Sequence, residues 1–202
     1  MTQKLANYLT DFFLKKSLIA IEDKESYVYS FEVFFSAVIS WGSIFLIAFF
    51  TKTIYATFCY VVSFCCFRGT SGGYHASTHL KCYLLSMTTF LLFLLAQFWL
   101  PKQYTIEICC LLLCISSIIF FLFSPVEHKN NPFTLQQKNH FRKRTIKLLC
   151  IFYLLLFLFL WRNYFNIAFA ITWGCFQAAF SILAAIYIQP KKEVKSDEKT
   201  FI

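Results

Sequence analysis

Hydrophobic and polar residues are distributed along this chain in long blocks. Val33–Phe50, Cys82–Leu100, Ile108–Val126 and Tyr164–Ile188 each run 18 or more residues without Asp, Glu, Lys or Arg. About 20 such residues, wound as a helix, span the roughly 30 Å hydrocarbon core of a bilayer. With two shorter candidates the pattern predicts six spans, at 28–50, 53–67, 82–100, 106–126, 146–161 and 164–189. The second is 15 residues, about 22 Å as a helix. That is short unless Lys52 snorkels or the Gly-rich chain after it dips into the membrane. Only "WRNY" separates the last two, which predicts a tight turn around Arg162 and Asn163. Ahead of the spans, Leu5, Leu9, Phe12 and Phe13 recur at helical spacing among polar neighbours. Residues 1–26 are therefore expected to form a short amphipathic helix lying on the membrane surface. A solvated N-terminus is the alternative. The first strongly apolar run begins near residue 31, after this charged segment, so no cleavable signal peptide is expected. Residues 190–202 are expected to form a flexible charged tail.

The expected class is an all-α polytopic integral membrane protein, one domain over 1–202 with no soluble module. Composition agrees. The 202 residues are 58% hydrophobic and only 14% charged, with 27 Phe, whereas soluble domains carry about 25% charged residues. Cys59, Cys65, Cys66, Cys109, Cys110, Cys114, Cys150 and Cys175 fall inside predicted spans without framework spacing, so they read as small buried hydrophobes.

Charge orients the layout. With the N-terminus inside, only Lys52, Lys102 and Arg162 fall in outside turns, which leaves 16 of the 19 basic residues on the inner side. That asymmetry is the positive-inside pattern and predicts that both termini are cytosolic. It also explains the net charge of +9 as attraction to an anionic inner leaflet, with no nucleic-acid partner required. The absence of an internal repeat or paired broken helices weakens a secondary-transporter reading, and a non-enzymatic peptide exporter stays open as the alternative to an enzyme.

The most polar cluster, "RGTSGGYHASTHLKCY" at 68–83, then lies at the inner face between spans two and three. Gly69, Gly72 and Gly73 disfavour a continuous helix, since each interior glycine costs about 1 kcal/mol. A loop or re-entrant turn is expected. Two chemistries fit. One is a Cys–His pair in which an imidazole or nearby cation supports a thiolate at Cys82. His75 and Cys82 share a face on a straight helix but lie roughly 10 Å apart along its axis, so they meet only if the chain bends. Gly72 and Gly73 permit a bend just before His75, and Lys81 adds positive charge. The other is a zinc site, with His75, His79 and Cys82 at i, i+4 and i+7 and water as the fourth ligand. His79 as a plain interfacial residue is the simpler alternative.

"R68…GG-Y-H75…C82-Y" followed by an apolar span resembles the signature of the accessory gene regulator protein B (AgrB) family, membrane cysteine endopeptidases of bacterial quorum sensing. The resemblance covers nearly the whole chain. It includes the amphipathic N-terminus, the six spans, "Y-x-x-E" at Tyr29–Glu32, a Pro-containing loop at Ser124–Phe133 and the basic run Arg142–Lys147. It implies Cys82 as nucleophile and His75 as general base, with no cofactor and no metal. The implied substrate is an AgrD-like propeptide with an amphipathic start, a central signal sequence and an acidic tail. The enzyme removes that tail and helps close the remainder into a thiolactone or lactone ring. A homodimer in the bacterial cell membrane is also implied, although no span carries a clear dimerisation motif. Supporting roles are expected for Arg68, as tail-orienting group or interfacial anchor, and for Gly72 and Gly73, whose N–H groups suit an oxyanion hole. Glu32 near the inner end of span one either orients His75 or snorkels into water. Lys129, Arg142, Lys143 and Arg144 are expected to meet the acidic tail or, equally, to serve topology and lipid contact alone.

Overall fold

A computed structural model describes residues 2–74, 78–126 and 134–188 of the chain. Every regular element among them is helical: α1 (Thr2–Lys15), α2 (Lys24–Phe50), α3 (Ile54–Ser71), α4 (His79–Trp99), α5 (Thr105–Phe123), α6 (Leu135–Trp161) and α7 (Phe165–Ile188), with short 3-10 turns before α2 and α5. Five of them, α2, α4, α5, α6 and α7, are long and apolar enough to cross a membrane. The protein is thus an all-α polytopic membrane protein. Its outward apolar side chains, such as Leu84, Leu92, Phe98, Leu122 and Leu154, remain exposed, as expected of helices that are apolar on every side and solvated by lipid. Helix α3, the expected short span, is 18 residues long, and its last turn carries Arg68, Gly69, Thr70 and Ser71. Those residues dilute its apolar character.

Among the boundaries that differ from the expectation, three bear on the polar segments. Helix α3 continues through Gly69, where an added Cβ would meet nothing within 4 Å, and stops only at Ser71. The break falls at Gly72 and Gly73, whose φ values of 73° and 135° lie in the left-handed region that glycine alone adopts freely. Helix α4 starts at His79, because the Thr78 side chain accepts from the Lys81 N–H and caps it. Helix α6 starts eleven residues before the expected span, at Leu135. A reciprocal capping box between Thr134 and Gln137 holds that end, so Arg142, Lys143 and Arg144 stand on a helix and not in a loop. The expected "WRNY" turn is present, with Asn163 at φ 59° and its N–H donated to the Leu160 carbonyl at 3.0 Å.

Contacts divide the chain into two compact units, Met1–Cys59 with His75–Pro101, and Tyr60–Tyr74 with Lys102–Ile202. In the first, α1 is the expected amphipathic helix. It packs on α2 through a Phe13–Phe31 ring stack at 5.7 Å and an exposed Lys24–Asp11 ion pair at 2.9 Å, the latter worth less than about 1 kcal/mol. Helices α2 and α4 meet where the Tyr83 hydroxyl donates to Ser43 Oγ at 3.2 Å.

In the second unit α7 is central. It buries 56% of its apolar window against 17–33% for the other four spanning helices. Its inward positions include Ala168, Gly174, Ala178, Ala179 and Ala185. Small residues let neighbouring backbones approach closely, which is how helices associate where lipid removes the hydrophobic drive. Phe67 of α3 fills the core beside them, with ring centroids 4.8 Å from both Phe120 and Phe152.

All nine cysteines are free thiols. Cys109 and Cys175 are buried as expected, while Cys110, Cys114 and Cys150 point outward from apolar helices.

Candidate functional site

Cys82 belongs to the first unit. It is exposed and stands in the first turn of α4, where its N–H donates to the Thr78 carbonyl at 3.1 Å. Its own carbonyl accepts from Ser86 Oγ at 2.9 Å. The thiol thus sits on a capped helix end rather than on a loop. The N–H groups of a helix's first turn have no acceptor within the helix, and that end carries the positive pole of the helix dipole. Lys81 adds a side-chain charge next to it. His75 lies outside the described residues, as does the side chain of His79, so the expected Cys–His pair and the zinc triad both fall there. Among the described residues no cluster of three or more His, Cys, Asp or Glu could hold a metal. Glu32 is half-buried on α2, in the same unit as Cys82.

The Gly-rich turn belongs to the second unit, and there the structure brings Arg68, Gly72 and Gly73 together. Arg68 reaches along the end of α3. Its Nη1 donates to the Gly72 carbonyl at 3.3 Å and to Ser181 Oγ of α7 at 2.9 Å, and its Nη2 donates to the Tyr74 carbonyl. The Tyr74 N–H in turn donates to the Ser181 carbonyl at 2.8 Å. Both glycines are required by crowding as well as by φ. A Cβ on Gly72 would come 2.5 Å from the Val126 carbonyl oxygen, and one on Gly73 would overlap the Arg68 guanidinium and Ser181 Oγ. The chain after α5 closes the turn from the other side, where the Val126 N–H donates to the Ser71 carbonyl at 3.0 Å.

This arrangement bears on two expected roles. Arg68 is engaged with the turn and with α7. The oxyanion role expected of the turn loses donors, because the Gly72 N–H is given to Arg68 O at 3.2 Å and the Tyr74 N–H to Ser181. Ser181 and Tyr74 were not singled out from sequence. Their partner, Arg68, lies 113 residues from Ser181, and no local pattern links residues so distant.

The basic residues divide. Lys129 lies outside the described residues. Arg142, Lys143 and Arg144 are exposed on α6, and successive helical residues turn by about 100°, so the three fan around the helix instead of forming one face. Arg142 Nη2 donates to the Phe121 carbonyl of α5 at 3.4 Å.

No curated protein and no solved structure is matched by the chain. The family model for Accessory gene regulator B matches residues 2–182 of the 202, a stretch that takes in the Cys82 helix end, the Arg68 turn and all seven helices but for the last six residues of α7. With that coverage the chain belongs to the accessory gene regulator B family, membrane proteins of quorum-sensing peptide processing.

Proposed function

We propose that the protein is a cysteine endopeptidase of the membrane that removes the C-terminal tail of an AgrD-like propeptide and passes the remaining acyl group on to form a thiolactone or lactone ring. The observation that carries this reading is the placement of Cys82. It is an exposed thiol at a capped helix N-terminus, next in sequence to the polar stretch 68–81, whereas the other eight cysteines lie within the bodies of helices α3, α5, α6 and α7.

In this reading His75 takes the proton of the Cys82 thiol, and the sulfur attacks the scissile carbonyl. Backbone N–H groups stabilise the oxyanion, at the start of α4 or, as first expected, in the Gly-rich turn. The C–N bond breaks, and His75 returns the proton to the departing amine of the tail. A thioester between Cys82 and the upstream segment remains. A thiol in the substrate then attacks that thioester, its proton passing through His75 to the Cys82 sulfur as the C–S bond to the enzyme breaks. One thioester replaces another, so ring closure needs no external energy source. A hydroxyl in place of the thiol gives a lactone. Water competes for the thioester, and a site at a membrane boundary limits that loss. Arg142, Lys143 and Arg144 offer exposed positive charge for the acidic tail. The charge asymmetry along the chain supports a site on the cytosolic face with both termini inside. The partners of this reading are the propeptide, the bilayer and a second copy of the chain.

The test is tail release from a co-expressed AgrD-type propeptide. Cys82→Ala and His75→Ala are expected to leave it full length, and tail release by the Cys82→Ala protein overturns the reading.

A further inference from the structure

We propose that the basic end of the α5–α6 pair is a binding site for one anionic phospholipid, whose phosphate pairs with Arg142 and whose acyl chain lies in the crevice beneath it. The site falls wholly within the second unit and is independent of the peptidase reading.

The direction of the Arg142 side chain is the first observation. Two hydrogen bonds set the register of the antiparallel pair, Ser117 with Tyr153 at 3.0 Å and Ser124 with Thr145 at 3.4 Å. By that register Phe121 stands level with Leu148 and Leu149, about 10 Å along the axis from Arg142. Arg142 Nη2 nevertheless donates to the Phe121 carbonyl at 3.4 Å. The side chain therefore runs along α6 toward its apolar part, against the usual N-terminal lean of helical side chains. The carbonyl is available because its partner in a continued helix would be residue 125, a proline with no N–H. The neighbouring Phe120 carbonyl is taken by the Ser124 N–H at 3.1 Å. Of the five N–H donors of a guanidinium this bond uses one, and Arg142 is exposed.

Depth is the second observation. Lys147 is the last charge on α6, and Leu148–Trp161 carries none. The guanidinium is thus drawn to the edge of the hydrocarbon, beside the headgroup layer. Among the described residues no carboxylate pairs with it. A cation at that depth is costly without a counter-charge, and a phosphate oxyanion supplies one with the bidentate geometry that arginine favours.

The third observation is what lies below. Phe120 and Phe121 of α5 and Thr145, Ile146 and Leu149 of α6 line a shallow crevice with Arg142 at its edge. On α6 the lining residues follow Arg142 at i+3, i+4 and i+7, one face of the helix. The Thr145 hydroxyl donates to the Phe141 carbonyl at 3.1 Å, which leaves the crevice apolar. Phe121 is 50% exposed and offers its ring as a wall for a chain. A cation above an apolar crevice matches the two halves of a phospholipid. An acidic peptide or a free phosphate would use only the upper half.

The test titrates full-length protein in detergent with phosphatidylglycerol and counts bound lipid by native mass spectrometry. Phosphatidylcholine is expected to bind about fivefold more weakly. Arg142→Gln is expected to weaken phosphatidylglycerol on the order of tenfold, the loss of charge-assisted hydrogen bonds to phosphate. Lys147→Gln removes the same charge about 140° around the helix and is expected to change affinity less than about twofold at physiological salt. Ile146→Trp fills the crevice, keeps every charge, and is expected to weaken binding about fivefold. Equal losses in Arg142→Gln and Lys147→Gln would mean diffuse attraction and overturn the proposal, as would wild-type affinity in Arg142→Gln. Displacement of the lipid by glycerol phosphate, or by an acidic tail peptide, would also overturn it. Should Arg142→Gln lose helix content by circular dichroism, Ile146→Trp decides, and unchanged lipid binding there refutes the site.

Discussion

The two ends of the polar stretch 68–82 are built in opposite ways. At its start, Arg68, Gly72 and Tyr74 are bound to each other and to α7 through the Arg68 guanidinium, the Gly72 and Tyr74 backbone groups and Ser181. At its end, Thr78 caps α4 by accepting the Lys81 N–H, the Cys82 backbone is bonded to Thr78 and Ser86, and the thiol is exposed. The difference separates two tasks. Groups bonded to one another in this way can hold a backbone in an unusual conformation, including the positive φ of both glycines. An exposed side chain on a capped helix is equally well placed and still free to react.

Substitutions on each side should break this contrast in different measure. The largest effect is expected from Cys82→Ala, with loss of tail release by more than about 1,000-fold and unchanged helix content by circular dichroism, since a nucleophile cannot be replaced by its neighbours. Gly73→Ala comes next. The strained φ and the overlap with Arg68 and Ser181 should destabilise the turn by about 2 kcal/mol and reduce kcat roughly 10- to 100-fold, while Cys82 remains as accessible to a thiol reagent as in the wild type. Neutralising Arg142, Lys143 and Arg144 together to Gln is expected to raise KM about three- to tenfold at low salt with little change in kcat, and the gap should narrow as salt screens the tail's acidic charge. An unchanged KM would leave these residues to topology and lipid alone. The smallest effect belongs to Thr134→Ala, which removes the cap of α6 and should cost about 1 kcal/mol of stability, read as a lower unfolding midpoint in detergent with tail release preserved.

Much of the fold was legible because lipid imposes a simple rule. Long uncharged runs had to be helices, and every one of them is. The boundaries were less legible because an apolar run marks only the part of a helix that lies in lipid. Helix α6 extends into a strongly basic segment from Lys138 to Lys147, and its start was written in the Thr134–Gln137 pair rather than in hydropathy. Gly69 argued for an early break in α3, yet one interior glycine costs little beside a full turn of helix bonds, and two consecutive positive-φ glycines were the true stop. Cys82 could be singled out from its polar company. The hold that Ser181 keeps on Arg68 could not, because a serine on an apolar helix looks the same whether it bonds its own helix backbone, as Ser40 does to Ser36, or also receives a guanidinium from another helix.

The central claim is that Cys82 carries the acyl group between cleavage and ring closure. It is tested most directly by giving the reconstituted protein a propeptide whose ring-forming residue is replaced by Ala, then digesting the enzyme and weighing its Cys82 peptide. The account predicts tail release accompanied by a covalent adduct on Cys82 that hydroxylamine discharges, unaffected by a metal chelator. Tail release with no adduct at Cys82, or release that a chelator stops and Cys82→Ala does not, would contradict it.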